Sequence, residues 1–285
     1  MNDDYLWDRS GPPDIEVARL EKLLAPLGAK PRSRSRRWIA GAVAVAVAAL
    51  AFVFAPPPAT EWKHEGRHLR AGDVVVEGTI SSASTGSLEL EPSSRLRLTG
   101  ARRFSLDQGT MHALIWAPPT EFVVDTPAAK AVDLGCRYTL RVEPGGRGEL
   151  SVQTGWVAFE AEGRESFIPA GASCETAPGR APGIPCFDDA APEFRLALRE
   201  FEAGRSESLD RALSAARPRD ALSLWHLLSR TEGEARARVY DRLAADRPMP
   251  DRAAVLRGGR EALDASWNAL GLGGAEWWRL WRRKW

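Results

Sequence analysis

The longest uninterrupted apolar stretch of the chain runs from Trp38 to Ala55 and contains no charged residue. As a helix it would extend about 27 Å, close to the ~30 Å hydrocarbon thickness of a bilayer. A cleaved signal peptide is disfavoured, because 37 mostly polar residues precede the stretch and three prolines follow Ala55. A buried core helix is usually shorter. The pattern therefore predicts a single transmembrane helix at 38–55.

Basic residues crowd the N-terminal side of this stretch, whereas residues 56–60 carry no charge. The positive-inside rule then predicts a cytoplasmic tail at 1–37 and an extracytoplasmic remainder, as in a single-pass inner-membrane protein. A nucleic-acid patch is the weaker interpretation, because the net charge is only +1 and no basic excess covers a domain. We expect no direct nucleic-acid binding. The topology determinants are Arg32, Arg34, Arg36 and Arg37.

The predicted cytoplasmic tail contains one amphipathic helix. Asp14 is a plausible N-cap, apolar residues recur at helical spacing from Val17 onward, and Pro26 closes the pattern. The tail is too short to bury its own aromatic residues, so it is either disordered or folds on a partner. The candidate partner-binding residues are Tyr5, Leu6, Trp7, Val17, Leu20 and Leu24.

Beyond a juxtamembrane linker at 56–72, the pattern changes to short apolar runs of period two, which are typical of β-strands. Their spacing of roughly eight to twelve residues indicates an all-β sandwich or barrel over residues 73–176. The apolar phase changes around Gly155, which predicts a turn or bulge there. The alternating pairs and triplets are Leu88/Leu90, Leu96/Leu98, Phe104/Leu106, Phe122/Val124, Tyr138/Leu140/Val142, Leu150/Val152 and Val157/Phe159.

A Pro/Gly-rich segment at 177–191 predicts a linker, and the pattern then becomes helical to the end of the chain. Four or five short helices with brief loops indicate a small α-helical domain at 192–285, either a bundle or, less well supported, a HEAT-like stack. The last nine residues combine tryptophans with cations. They favour packing of a terminal helix on its neighbours, with an interfacial membrane anchor as the alternative.

The sequence offers little catalytic chemistry. His64 and His68 lie four residues apart, but Gly66 and the lack of a third ligand argue against a metal site. His112 and His226 are more simply structural residues. Because no nucleophile motif, phosphate loop or carboxylate dyad stands out, we expect a protein that is not an enzyme and that has no cofactor, metal or catalytic residue.

Three stretches of the predicted β region, in order, resemble the FecR domain. They read FVVDTP at 122–127, AVDLGCRYTL at 131–140 and LSVQTGWV at 150–157, with IPAG at 168–171 as a final element. Pro127 would end a strand, while Gly135 and Gly155 would permit backbone geometry or a close approach that a side chain blocks. The resemblance covers about 100 residues and locates a fold rather than an active site.

This resemblance implies a transmembrane, anti-sigma-factor-like regulator of the bacterial envelope. Its outer domain, a FecR-like antiparallel sandwich of jelly-roll type, would sense an envelope signal or protein partner in the periplasm. Its cytoplasmic tail would modulate an extracytoplasmic-function sigma factor. A tail of 37 residues is shorter than a full anti-sigma domain. A non-enzymatic scaffold of the cell envelope is the alternative function.

The three cysteines all fall on the predicted outer side, where one disulfide and one odd thiol are expected. Cys136 stands where the FecR pattern more often has threonine, within a strand, and Cys174 follows the last predicted strand. We therefore expect a Cys136–Cys174 disulfide, with Cys186 as the free thiol.

Overall fold

The computed structural model of the protein describes residues 15–24 and 59–272. The chain divides into two compact units, residues 1–56 and residues 57–285. In the first unit, helix α1 (Ile15–Leu24) confirms the helix predicted between Asp14 and Pro26. Ile15 and Leu20 are exposed on it.

No helix within the described residues is long and apolar enough to cross a membrane. The predicted span at 38–55 lies outside those residues.

The second unit is mainly β-sheet, with helices after residue 191. Within residues 59–272, all but one of the strand pairs are antiparallel, the exception being β7 with β8. The strands are β1 (Ala59–His64), β2 (Arg67–Arg70), β3 (Val74–Val75), β4 (Gly78–Ser82), β5 (Gly86–Leu90), β6 (Arg95–Gly100), β7 (Arg103–Ile115), β8 (Val123–Asp125), β9 (Lys130–Asp133), β10 (Arg137–Val142), β11 (Gly148–Thr154), β12 (Trp156–Ala161), β13 (Arg164–Pro169), β14 (Ala172–Thr176) and β15 (Cys186–Phe187).

The long strand β7 joins two ladders of strands. Its first half pairs with β6 and β8, and this ladder continues through β9 and β12 to β13. Its second half pairs with β5 and β10, and that ladder continues through β11 and β14 to β15. Gly109 lies at the change-over with φ +101°, and a Cβ there would collide with Ser94. Only glycine accommodates both constraints.

The alternation of apolar residues predicted the face of the strands correctly. The apolar residues of all seven predicted runs are buried in one hydrophobic core, because successive side chains of a strand point to opposite faces. The predicted phase change is confirmed at Gly155, which separates β11 from β12 with φ +76°.

The first hairpin was missed from the sequence. Residues 59–70, expected to form part of a juxtamembrane linker, instead form β1 and β2. Trp62 is fully buried, packs edge-on against Phe104 at 5.1 Å between ring centroids, and donates to Ala101 O at 2.8 Å. The strand β1 contains a single large apolar residue, so it has no alternation for a pattern to detect.

The helices follow the predicted pattern, with one addition. Pro192 occupies the first turn of the first helix in this region. Proline is favoured there because the N–H that it lacks would have no partner within the helix. The short helix α6 was not predicted. The helices are α2 (Pro192–Glu202), α3 (Ser208–Ala215), α4 (Ala221–Arg230) preceded by a 3-10 turn (Pro218–Asp220), α5 (Gly233–Ala244), α6 (Arg252–Leu256) and α7 (Arg260–Asn268).

These helices pack directly on the sheet rather than standing apart behind a linker. Trp267 of α7 contacts Trp156 at 5.8 Å and Phe167 at 5.9 Å between ring centroids, and buried residues of both regions form one core. Within the segment expected to be a Pro/Gly linker, Ile184 is buried and β15 pairs with β14. Residues 57–285 therefore form one compact unit.

Candidate functional site

The second and third FecR-like stretches meet at one corner of the β region, which we call the glycine corner and define by Asp133, Gly135, Cys136 and Gly155. Gly155 lies against the strand entrance formed by Gly135 and Cys136. A Cβ on Gly155 would collide with the carbonyl oxygen of Gly135 and would lie 3.0 Å from Cys136 Cα. The close approach expected from the sequence is therefore present at Gly155.

Asp133 organises the turn that precedes β10. Its carboxylate accepts hydrogen bonds from Gly135 N at 2.6 Å and from Cys136 Sγ at 2.5 Å. Burial raises the pKa of Asp133 to about 7, against the opposing effect of these two donors. A carboxyl with two local donors in a turn is a structural device, because its oxygens replace backbone partners.

The Thr-Pro stretch forms a second local turn. Thr126 Oγ1 accepts from Ala129 N at 3.0 Å and donates to Ala129 O at 2.8 Å. This bond pattern reverses the chain between β8 and β9, which then pair as antiparallel neighbours. The residues that carry the resemblance therefore have structural roles in this chain. None of them presents a reactive group to solvent.

Burial leaves little reactivity at the cysteines. All three are buried free thiols. Burial raises the pKa of Cys136 and of Cys174 well above the usual range of a thiol, and raises that of Cys186 to about 11. Thiolates are the reactive species, so none of the three has the character of a nucleophile.

The Cys136–Cys174 disulfide expected from the sequence is not formed in the structure. Cys174 of β14 is paired with Leu150 of β11, and Leu150 is paired with Leu140 of β10. The strands β14 and β10 are therefore two strand spacings apart, or about 9–10 Å. A disulfide needs Cα atoms within about 7 Å. Cys136 instead donates to Asp133, and Cys174 donates to Gly183 O at 3.2 Å. The two strands belong to one ladder but are not neighbours, which the sequence did not reveal.

Most of the other predicted site residues lie outside the described residues. These are Tyr5, Leu6, Trp7 and the topology determinants Arg32, Arg34, Arg36 and Arg37. Leu20 is exposed on α1, whereas the side chains of Val17 and Leu24 lie outside the description.

The four histidines lie in three different parts of the fold. His64 and His68 lie on paired strands of the first hairpin, and His112 bonds Thr139 and Glu91. Within the described residues, no group of three or more His, Cys, Asp or Glu side chains is arranged to hold a metal ion.

His226 was expected to be an ordinary structural residue, and its bonds show how it fastens α4 to the sheet. Its Nε2 accepts from Phe167 N at 3.1 Å, so Nδ1 carries the proton and donates to Leu222 O at 3.0 Å. Burial, then the charge of Arg230, lowers the pKa of His226 to about 3. The ring is therefore neutral and acts as a fixed bridge.

Sequence reasoning missed the polar cluster beside this histidine. Arg230, at the end of α4, has a side chain only 11% exposed. It donates to Ser166 Oγ at 2.5 Å and to Gly183 O at 3.1 Å, and lies 3.5 Å from Glu202. Arg230 and its three partners come from four separate segments of the chain. A single sequence carries no signal for such a cluster, apart from an arginine ending an otherwise apolar helix.

Comparisons with known proteins give no family. No protein-family model matches the chain, and no curated protein matches it. Two crystal structures of a proposed anti-sigma factor from Parabacteroides distasonis, at 1.65 and 2.50 Å resolution, show some similarity. Both are 15% identical with a TM-score of 0.32; the first match covers 51% of this chain and 63% of that one, the second 55% and 72%. The chain thus spans less than two thirds of the first structure.

Proposed function

We propose that this chain is a single-pass membrane signalling protein of the FecR type. Its β region, with the two ladders as the layers of a FecR-like sandwich, would sense an envelope signal or partner. Its N-terminal tail would modulate an extracytoplasmic-function sigma factor. The sequence supports this arrangement, since the apolar stretch at 38–55 separates a short basic-flanked tail from the β region.

The observation that carries the proposal is the glycine corner. The stretches at 122–127, 131–140 and 150–157 resemble the FecR domain in order and spacing, and Gly155 of the third packs on Gly135 of the second. Their spacing therefore meets a three-dimensional requirement in this chain, which supports the resemblance as more than a chance match of short motifs.

The tail helix supports the partner side of the proposal. Leu20 is 59% exposed on α1, in a helix that also carries Val17 and Leu24 at helical spacing. Three apolar residues at i, i+3 and i+7 are the usual anchors of a helix that lies in a partner's groove. A sigma factor would bind this face together with Tyr5 and Trp7.

Co-purification tests the partner. The full-length chain is expressed with each extracytoplasmic-function sigma factor of the source genome, solubilised in neutral detergent, and captured. We expect one sigma factor to be retained and Leu20→Glu to lower its retention at least about tenfold, since a buried charge replaces an apolar anchor. Ala18→Glu is the matched control, because Ala18 is also exposed on α1 but lies off that face.

The controls separate the two candidate functions. Retention of no sigma factor by the full-length chain would contradict the signalling role and leave the envelope scaffold as the better hypothesis. Equal loss with Leu20→Glu and Ala18→Glu would contradict the assigned face.

Topology is tested separately. Alkaline phosphatase fused after Trp285 is expected to be active in cells and inactive when the fusion follows residue 30. The reverse pattern, or activity in neither fusion, would contradict the membrane arrangement.

A further inference from the structure

A cavity of about 610 Å³ opens beside the polar cluster of Arg230. It lies where β14, the segment after it, the end of α2 and the end of α4 meet, all within residues 57–285. We call it the arginine cleft and define it by Arg147, Arg164, Arg180, Arg199, Arg230 and Glu202. Ligand pockets in proteins commonly have volumes of about 300–1,000 Å³.

The cleft has an excess of positive charge. Five arginines line it, against two acids, Glu175 and Glu202. Arg199 lies 3.5 Å from Glu175, and Arg230 lies 3.5 Å from Glu202.

Three arginines remain after these pairings. Arg147, Arg164 and Arg180 form no ion pair with any described residue. The chain as a whole carries a net charge of only +1, so this local surplus is not the average of a basic protein.

The base of the cleft is held by hydrogen bonds. Arg230 is held by Ser166 Oγ and Gly183 O, which fix its guanidinium in the wall between the sheet and the helices. Burial lowers the pKa of Arg230, with Arg164 adding to this effect and Glu202 opposing it. Arg164 and Arg230 therefore repel each other, and an anion between them would relieve that repulsion.

We propose that the arginine cleft binds a small polyanion that carries at least two phosphate or carboxylate groups. Planar guanidinium groups pair with such oxyanions through two parallel hydrogen bonds, and concave walls strengthen the attraction. Arg164 and Arg180 supply the free charges at the rim, and Arg230 supplies the fixed one. The inference does not depend on the signalling role, since it rests on the charges and shape of this cleft.

Glu202 competes with the ligand from inside the cleft. Its side chain accepts from Ile184 N and faces Arg230 of α4, Glu175 of β14 and Arg199 of its own helix. Burial raises the pKa of Glu202 to about 7, although Arg230 and the bond from Ile184 N oppose the shift. An arriving anion favours the protonated carboxyl, so we expect tighter binding at about pH 6 than at about pH 8.

Calorimetric titration tests the proposal with the full-length chain in neutral detergent and low-salt buffer. Inorganic pyrophosphate and succinate are the two probes, one for phosphate and one for carboxylate groups. We expect saturable binding of at least one. Binding of pyrophosphate alone would assign the cleft to phosphate groups, and binding of succinate alone to carboxylates.

Two variants should act in opposite directions. Arg164→Ala with Arg180→Ala is expected to weaken binding at least about tenfold, since two charge-assisted pairs are lost. Glu202→Gln should tighten it about two- to fivefold, because a repelling charge is removed while a carbonyl oxygen still accepts from Ile184 N. The matched control removes two exposed arginines elsewhere, Arg137→Ala with Arg257→Ala, and should change affinity less than about twofold.

Failure is equally well defined. Absence of binding of either probe at millimolar concentration would overturn the proposal, as would equal weakening by the rim pair and the control pair. Circular dichroism checks that each variant is folded, and we expect it to be, because Arg164 and Arg180 form no ion pair with a described residue.

Discussion

The glycine corner and the arginine cleft lie in the same compact unit but are built on opposite principles. At the corner, backbone packs on backbone so closely that a single Cβ on Gly155 has no space. At the cleft, about 610 Å³ is left open, and three arginines on its rim form no ion pair with any residue that the structure describes. The corner contributes to stability and offers no room for a ligand. The cleft offers room and charge, and its exposed rim should contribute little to stability.

This difference teaches where function can reside in the molecule. A tightly filled corner tolerates few substitutions, so its residues are fixed by folding whatever the protein does. Unpaired charges on an open rim are not required for folding. Stability measurements should therefore separate the two sites, and binding measurements should reverse the order.

The largest expected effect is at Gly155. Gly155→Ala should destabilise the protein by more than about 4 kcal/mol, since the methyl group collides with Gly135 O and the backbone is strained at positive φ. Gly163→Ala is the matched control, with φ +72° and nothing within 4 Å of its Cβ. It should lose only the strain, about 1–2 kcal/mol. Urea unfolding measures both, and equal losses would contradict the close packing of the corner.

The buried base of the cleft should give the next largest effect. Arg230→Ala removes the hydrogen bonds to Ser166 Oγ and Gly183 O and leaves the Glu202 carboxyl without its buried cation, so it should cost about 3 kcal/mol. Arg199→Ala removes an ion pair whose two side chains are about half exposed, and should cost less than about 1 kcal/mol. Thermal unfolding compares them. A loss at Arg230 no larger than that at Arg199 would contradict the buried contacts at the base of the cleft.

A pH-dependent effect is expected at Asp133. Its folded pKa of about 7 lies above the unfolded value of 3.8, so its contribution is fully present below 3.8 and is lost as pH rises through 7. The native chain should lose about 2–3 kcal/mol from this group between pH 5 and 8. Asp133→Asn keeps an acceptor for Gly135 N and should remove that loss.

The effect of Asp133→Asn is the difference between its unfolding free energy and that of the native chain at each pH. His226 acts in the opposite direction, because its lowered pKa makes stability fall as pH drops below 6.5. Glu202 also titrates near 7. Both groups remain in Asp133→Asn, so subtracting the two stability curves isolates Asp133. A flat difference curve between pH 5 and 8 would contradict the buried carboxyl.

The two sites also differ in how much the sequence could predict. Gly155 stands at a visible change of apolar phase and Gly135 within a recognised stretch, so their roles could be inferred from local pattern. Apolar residues that recur with a period of two predicted the buried faces of the strands, and those that recur with a period of 3.6 predicted the helices. The local pattern failed to predict β1, because Trp62 is the one large apolar residue of that strand. It also failed for Cys136 and Cys174, because the order of the strands in the sheet determines the distance between the two thiols.

The cleft could not be predicted for a related reason. Its arginines come from the β10–β11 loop, β13, the segment after β14, α2 and α4, and each alone looks like an ordinary surface charge. Only the packing of helices on the sheet brings them together. Apolar periodicity determines which face is buried, but it does not determine which charged ends then become neighbours.

The smallest expected effect is the sharpest test of the contrast between the two sites. The double variant Arg164→Ala, Arg180→Ala should change the unfolding free energy by less than about 0.5 kcal/mol. Both side chains are exposed and form no ion pair with a described residue. A slight gain is the expected sign, since removing Arg164 relieves its repulsion of the buried Arg230. Urea unfolding in low-salt buffer should show this gain shrinking as salt is added. A loss approaching that of Arg230→Ala would instead make the rim part of the folded framework, and the cleft would then resemble the corner.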